Sequence, residues 1–370
     1  MPQDLVIAKG ACFPVFAYEV AQAIDLDAAE RRLLAGTERQ TVKHKRRAPA
    51  YFEYRPAPLR VARATGEHAL GGYTSGVGVE LVLYDFGAVS VSYAIPLGGP
   101  FADLPALASE LWGNQQLLAD SRHHVERLLE DLGDAAMRPR IADFVEDYSI
   151  FQIESFTVPC EAAALWTELA PQVAQILRAT AHALSQQEIA DATGPRLSFG
   201  LADATFIDTD AALIFDAEGD DVRDVLEFAN TQLLEMRFLD QQLDDALERA
   251  YETLLRRPER LWAVGRGSYG AELRRLARLQ LDGATLFEQV TNALKLVGDQ
   301  YLARVYGLAS RRFHLGEWDA SISPKLQTID GIYAKLADGA TSRRMEALEW
   351  IIIVLIAVEL VVSGVTALSR

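Results

Sequence analysis

The pattern of this chain changes class near residue 220, and that change limits the fold more than any single motif does. Before it, short runs of two-residue alternation and turn residues are interleaved with helical stretches; after it, nearly every segment repeats apolar residues at helical spacing. The expected fold class is α+β: an N-terminal mixed sheet-and-helix domain, then long helices forming a hairpin or coiled-coil-like region, then one C-terminal transmembrane helix. The boundaries fall at 1–219, 220–345 and 346–370. With 370 residues, 50% of them apolar and 24% charged, the chain can bury a substantial core, so disorder cannot dominate.

In the first region, Asp25 or Asp27 caps a helix running to Leu34, which Gly36 stops. Leu59 to Ala64, behind Pro56 and Pro58, reads as a short extended segment. The clearest hairpin lies within Val77 to Ile95, where Glu80–Tyr84 and Ala88–Ala94 meet at Asp85-Phe86-Gly87 and Gly87 supplies positive φ. Asp103 to Leu132 and Glu161 to Ala190 read as long helices, and Tyr148 to Val158, Leu197 to Ile207 and Ala211 to Phe215 as strands. Beyond residue 220 the helices are Val222–Arg256, Leu286–Phe313 and Ser321 to the C-terminus. In the last of these, Ile322, Leu326, Ile329, Tyr333 and Leu336 form a heptad seam, which a hairpin with Leu286–Phe313 or an intermolecular coiled coil would satisfy.

Trp350 to Leu368 is apolar apart from Glu359 and a few small polar residues, and its 19 residues span about 28 Å as a helix, near the thickness of a bilayer core. A central acid costs about 3 kcal/mol, while each surrounding aliphatic residue returns roughly 0.3–0.6 kcal/mol, so the aliphatic residues win. Arg343 and Arg344 on the N-terminal flank and the absence of a secretory signal at the start place the body in the cytoplasm. The expectation is a tail-anchored, single-pass protein of the cytoplasmic (inner) membrane, with the lipid bilayer as a partner. Glu359, with Ser363 one turn on, is then protonated or shared between neighbouring protomers, which implies a homo-oligomer.

A formal charge of −16 excludes a protein whose whole surface wraps nucleic acid, and no DNA partner is expected. One local patch runs against that balance: Lys43, Lys45, Arg46, Arg47, Arg55 and Arg60, interleaved with Tyr51, Phe52 and Tyr54. It suits an anionic ligand, whether RNA phosphate or lipid headgroup, and also reads as a solvated loop. Cys12 and Cys160 are too few for a metal knuckle or disulfide framework and read as two buried thiols. His123 and His124 point about 100° apart on a helix and read as surface residues. Gly265 to Gly270 has the spacing of a dinucleotide loop but lies between helices and reads as a turn. No residue set forms a catalytic, cofactor or metal site, so the reading is a non-enzyme without a cofactor.

Ala181-His182-Ala183-Leu184-Ser185-Gln186-Gln187, Leu226 to Asn230, Leu233 to Arg237, and above all Leu348 to Ile356 with Glu359 resemble the required-for-meiotic-nuclear-division family. The resemblance implies an α+β domain, long helices, a C-terminal membrane segment and no established catalytic residues. Its mitochondrial member supports translation of organelle-encoded membrane proteins as an inner-membrane oligomer near the ribosome, so the resemblance implies tethering, with ribosome or RNA association. The leading function is thus a membrane-anchored, homo-oligomeric scaffold or tether. The alternative is an ion-handling or channel-like protein with a CorA-like body plan. A third class, an enzyme whose site is assembled from scattered residues, would need a pocket collecting several polar groups.

Overall fold

Val6–Glu19 forms β1, the strand on which the rest of the sheet is hung. Its side chains alternate between two buried faces, with Cys12, Phe16 and Tyr18 on one and Val15 and Ala17 on the other. Both faces are covered, so the strand reads as a nearly continuous apolar run. The computed structural model describes residues 5–36, 56–255, 277 and 300–332. The chain divides into two compact units, Met1–Phe238 with Leu286–Asp319, and Leu239–Thr285 with Ala320–Arg370.

The first unit contains a nine-stranded mixed sheet. After β1 come β2 (Ala23–Ile24), α1 (Leu26–Gly36), β3 (Leu59–Ala64), β4 (Ala69–Leu70), β5 (Tyr73–Thr74), β6 (Gly78–Leu83), β7 (Ala88–Tyr93) and β8 (Ile95–Pro100). There follow α2 (Leu104–Leu111), α3 (Gln115–Leu132), β9 (Ala136–Met137), β10 (Val145–Phe156), α4 (Ala170–Leu177), α5 (Gln186–Thr193), β11 (Arg196–Leu197), β12 (Ala204–Ile207) and β13 (Ala211–Phe215). The long α6 (Asp220–Leu255) and α7 (Gln300–Arg312) complete the named elements. The strand order is β11-β12-β13-β10-β1-β7-β6-β3, with β8 also paired to β1; β2–β9 and β4–β5 are separate two-stranded ladders.

β1 runs antiparallel to β10 on one edge, and on the other it changes partner, from β8 at Val6–Cys12 to β7 at Val15–Glu19. Pro14 falls in the gap between those partners, where its missing N–H costs that edge no ladder bond. β13 lies parallel to β10, and the chain between them crosses one face of the sheet through α4 and α5. Helices α1 to α5 cover that face, over a core that includes Leu81, Val91, Phe151 and Leu213. The part of α6 up to Phe238, together with α7, covers the other face over Val15, Val82, Ile150 and Ile214. The first unit is a three-layer α/β/α arrangement.

The hairpin is where the sequence places it: β6 and β7 pair, and Gly87 has φ +105°. A Cβ at Gly87 would come within 1.9 Å of the Ala21 carbonyl oxygen, so both the conformation and the space require glycine. Asp25 caps α1 by accepting from the Ala28 N–H at 2.9 Å. Other expectations are corrected. Asp103–Leu132 is two α-helices after a short 3₁₀ turn, because Gly113 takes φ +63° and Asn114 then caps α3 through Leu117 N–H. Glu161–Ala190 breaks into a 3₁₀ turn, α4 and α5, with Ala179 at φ +46° in the link and Ser185 capping α5. The strand expected over Leu197–Ile207 is split into β11 and β12 by a loop.

In the second unit, the end of α6 packs with a helical stretch at 320–332. Lys325 bridges Asp240 at 2.7 Å and Asp244 at 2.6 Å, while Leu243, Ile322 and Ile329 are buried. In its described part, then, the expected seam has α6 as its ionic partner, where Leu286–Phe313 or a second chain was expected.

The membrane expectation is corrected as well. Among the described residues no helix is long and apolar enough to cross a membrane. The single-pass, tail-anchored reading and the inner-membrane location that rests on it are therefore not carried forward. Trp350 to Leu368, with Glu359 and Ser363, lies outside the described residues.

Candidate functional site

Between β11 and β12 the chain leaves the sheet, and Asp203 shapes the loop. Its carboxylate accepts from the backbone N–H of Phe199 at 2.7 Å and of Gly200 at 2.5 Å, closing a tight turn. The closure turns two large apolar side chains outward: Phe199 is 82% exposed and Leu201 98%. They form one wall of a cleft of about 810 Å³. The end of β10 and the chain after it, including Val158 and Cys160, also line it. The end of β13, the start of α6, and Tyr301 and Leu302 of α7 close the remainder. Ring pairs line the apolar part, with Phe156 and Phe215 tilted at centroids 5.3 Å apart and Phe199 and Tyr301 edge to face at 5.6 Å.

All the charged residues in the lining are acidic: Glu154, Asp203, Asp216, Glu218 and Asp221. Lys9, from β1, pairs with Glu154. Asp216 accepts from the Glu218 N–H at 2.9 Å, which turns the chain into α6. No histidine lines the cleft. Ser155 and Cys160 are the nucleophile types present, with no histidine in the lining to activate the serine; burial first, and then Glu168 and Glu161, push the Cys160 thiol up, so it holds its proton and is a poor nucleophile. Among the described residues no group of three or more His, Cys, Asp or Glu could hold a metal ion.

A second polar region lies inside the first unit, between the sheet and α6. The helix buries Glu227, Asn230, Thr231, Gln232 and Glu235 against strands that contribute Glu19, Ser90 and Glu146. Ser90 donates to Glu227 at 2.7 Å, Tyr306 donates to Gln232 at 2.5 Å, and Arg237 donates to Glu146 at 2.7 Å. Arg60 meets Glu80 and Asp224, each at 3.0 Å, and Glu227 at 3.7 Å. Burial pushes the Glu146 carboxyl up to about 7 against the pull of Arg237, and pushes Asp224 up to about 6 against that of Arg60. Glu19 and Glu235 face each other. Burial and their mutual repulsion hold Glu19 well above the ordinary range, and burial raises Glu235.

On the opposite face, Asp120 of α3 collects donors. It accepts from Tyr93 at 2.7 Å, Thr65 at 3.1 Å and His68 Nε2 at 3.2 Å, with His124 Nε2 at 3.5 Å. Gln116 approaches His68 Nδ1 at 3.3 Å, so both ring nitrogens have partners, as in a structural histidine. His124 is buried, which corrects the surface expectation; His123 is exposed as expected. At the edge of the sheet, the buried Asp208 sits between Arg178, at 3.0 Å, and Arg312.

The residues singled out in the sequence are not brought together at the cleft. Arg60 is half-buried and committed to the carboxylates of β6 and α6. Lys43, Lys45, Arg46, Arg47 and Arg55 lie outside the described residues, as do Gly265 to Gly270. Cys12 is buried, Cys160 half-buried, and both are free thiols. His182 is exposed in the link between α4 and α5. Phe199, Leu201 and Asp203 were missed because Leu197–Ile207 read as one strand. The signal against that reading was Gly200 between two large apolar residues, with an aspartate three positions on.

Residues 9–221 match the family described as "Uncharacterized protein MJ0711, N-terminal domain". The chain is similar to the uncharacterized protein MJ0711 of Methanocaldococcus jannaschii, at 25% identity over 244 residues, covering 64% of this chain and 72% of that protein. No solved structure matches.

Proposed function

This chain belongs to the family of the MJ0711 N-terminal domain, and on that premise we propose that it is a non-catalytic scaffold whose sheet unit holds a partner polypeptide in the cleft beside α6. The carrying observation is the pair Phe199 and Leu201, displayed almost fully to solvent on one wall of a cleft of about 810 Å³. Single exposed apolar residues are ordinary, but here Val158, 53% exposed, lines the same cleft and a turn built by Asp203 sets the display. Burying a leucine or phenylalanine side chain contributes about 1.5–3 kcal/mol, so covering both would supply roughly 3–6 kcal/mol of association.

The lining supports binding over catalysis. Its thiol is held protonated, it carries no histidine, and the carboxylates that burial pushes up, Glu19, Glu146, Asp210, Asp224, Glu227 and Glu235, all lie outside the cleft. The resemblance at Leu226 to Arg237 points the same way through the tethering role it implies.

Photo-crosslinking tests the reading. With p-benzoylphenylalanine in place of Leu201 in the full chain, irradiation in cells is expected to give a discrete polypeptide adduct. The same probe in place of Trp112, 67% exposed after α2, is expected to give none. No adduct at position 201, or the same adducts at both positions, would sink the proposal.

A further inference from the structure

Resting on that reading of the cleft, we infer that its occupant is a basic polypeptide segment in which Lys or Arg alternates with apolar residues. Five carboxylates line the cleft and no basic residue does; Glu154 is paired with Lys9 from outside the lining, which leaves Asp203, Asp216, Glu218 and Asp221 to set the sign of the cleft. The start of α6 argues the other way, because a helix N-terminus carries about half a positive charge and favours anions. The carboxylates of Glu218 and Asp221 in the lining, with Asp220 in the first turn of the helix, outweigh it. A phosphate or an acidic peptide would meet repulsion, whereas an ammonium or guanidinium group meets attraction. The rings of Phe199 and Tyr301 add faces on which such a cation can rest.

The occupant must also be apolar in part. Leu201 and Val158 gain nothing from a purely polar cation, and the lining places them beside the carboxylates, so the complementary segment presents both kinds of side chain within a few residues. A second copy of this chain carries −16 overall, and that repulsion opposes its approach even though Lys43 to Arg47 form a local basic run. The partner is a different polypeptide with a basic, apolar stretch.

The test uses the full chain and three fluorescein-labelled twelve-residue probes: alternating Lys and Leu, alternating Glu and Leu, and alternating Lys and Ser. By fluorescence anisotropy the Lys/Leu probe is expected to bind, more weakly as salt rises. The Glu/Leu probe is expected not to bind, and the Lys/Ser probe to bind at least tenfold more weakly. Glu218→Lys, at an exposed position of the lining, should weaken Lys/Leu binding at least threefold. Glu130→Lys, exposed on α3, should leave it unchanged. Equal losses in both variants would reveal diffuse attraction to an acidic protein and overturn the inference. The double change Phe199→Ser with Leu201→Ser separates the two claims. If it abolishes binding while Glu218→Lys has no effect, the cleft remains an interaction site and the charge assignment falls. If neither alters binding, both fall.

Discussion

The two faces of the nine-stranded sheet both carry an apolar core and differ in the polar groups they bury. Under α1 to α5 the core is apolar, and its main polar network gathers around a single partly exposed carboxylate, Asp120. Under α6 the interface buries Glu227, Asn230, Thr231, Gln232 and Glu235. Apolar burial is non-directional and tolerates small sliding of a helix. Each buried polar group left without its partner costs about 1–3 kcal/mol, so α6 sits where Ser90 and Glu146 of the sheet and Tyr306 of α7 meet their mates. Both faces therefore supply bulk stability, and the one under α6 also specifies the position of the helix whose first turn borders the cleft.

The faces also differ in the sign of their response to pH. Asp120 is pushed up by burial, but hydrogen bonds from Tyr93 and Thr65 and the nearby His124 and His68 outweigh that and hold it below the usual range. A depressed carboxylate contributes stability that is present above its unfolded pKa and lost as pH falls through the folded one. Glu146 and Asp224, pushed up to about 7 and about 6, behave oppositely: their contribution is complete below the ordinary carboxylate range and lost as pH rises through those values. Stability should peak in mildly acidic solution.

The largest expected effect comes from the residue that ties the faces together. Asp208 is fully buried in the turn between β12 and β13, held by Arg178 after α4 on one side and by Arg312 of α7 on the other. Asp208→Ala removes the buried partner of both guanidinium groups, leaving Arg312 with the exposed Asp191 and Arg178 with Asp191 and Glu188, and is expected to cost about 3 kcal/mol in urea unfolding. Asp191→Ala removes an exposed acid from the same two arginines and should cost less than about 1 kcal/mol. Similar losses in the two variants would deny that the buried acid is the tie.

Next in size is the Glu19–Glu235 pair. Both carboxyls are raised, so the pair stabilises the fold while it keeps a proton and loses that contribution as pH rises through its folded range. Each proton retained by the folded state steepens the decline by up to about 1.4 kcal/mol per pH unit. Glu235→Gln should flatten the loss of stability measured by urea midpoints from pH 5 to 8. An unchanged slope would place the pH response elsewhere and weaken the contrast between the faces.

Much of the fold was legible because its signals are local. Asp85-Phe86-Gly87 between two β-branched runs marks the hairpin, and the uninterrupted helical period after Asp220 marks α6. β1 was not legible, although it is the longest strand among the described residues. With Val15, Phe16, Ala17 and Tyr18 all buried there is no alternation to see, and Pro14 is acceptable only because β1 changes partners at that point. The break after α4 was hidden because Ala179, and not a glycine, takes the positive φ. The cleft escaped for a different reason. It is assembled from segments near residues 156, 200, 217 and 301, whose juxtaposition depends on the parallel pairing of β10 with β13. The polar seam had a visible trace, since Glu227, Thr231 and Glu235 repeat every four residues, but exposed helix faces show the same spacing.

The smallest effect sharpens the comparison from the apolar side. In Asp120→Asn the side chain keeps an oxygen to accept from Tyr93 but loses the charge that favours four converging donors, so stability at pH 7 should fall by about 1–2 kcal/mol. The deficit should shrink as pH falls through the folded pKa of the wild-type carboxyl, where the wild type also becomes neutral. Paired urea unfolding curves at pH 7 and pH 3 read this directly. Glu235→Gln should show the reverse, differing from the wild type most at high pH. Should the Asp120→Asn deficit be as large at pH 3 as at pH 7, the network would be held by shape alone, and the two faces would no longer be distinguished by charge.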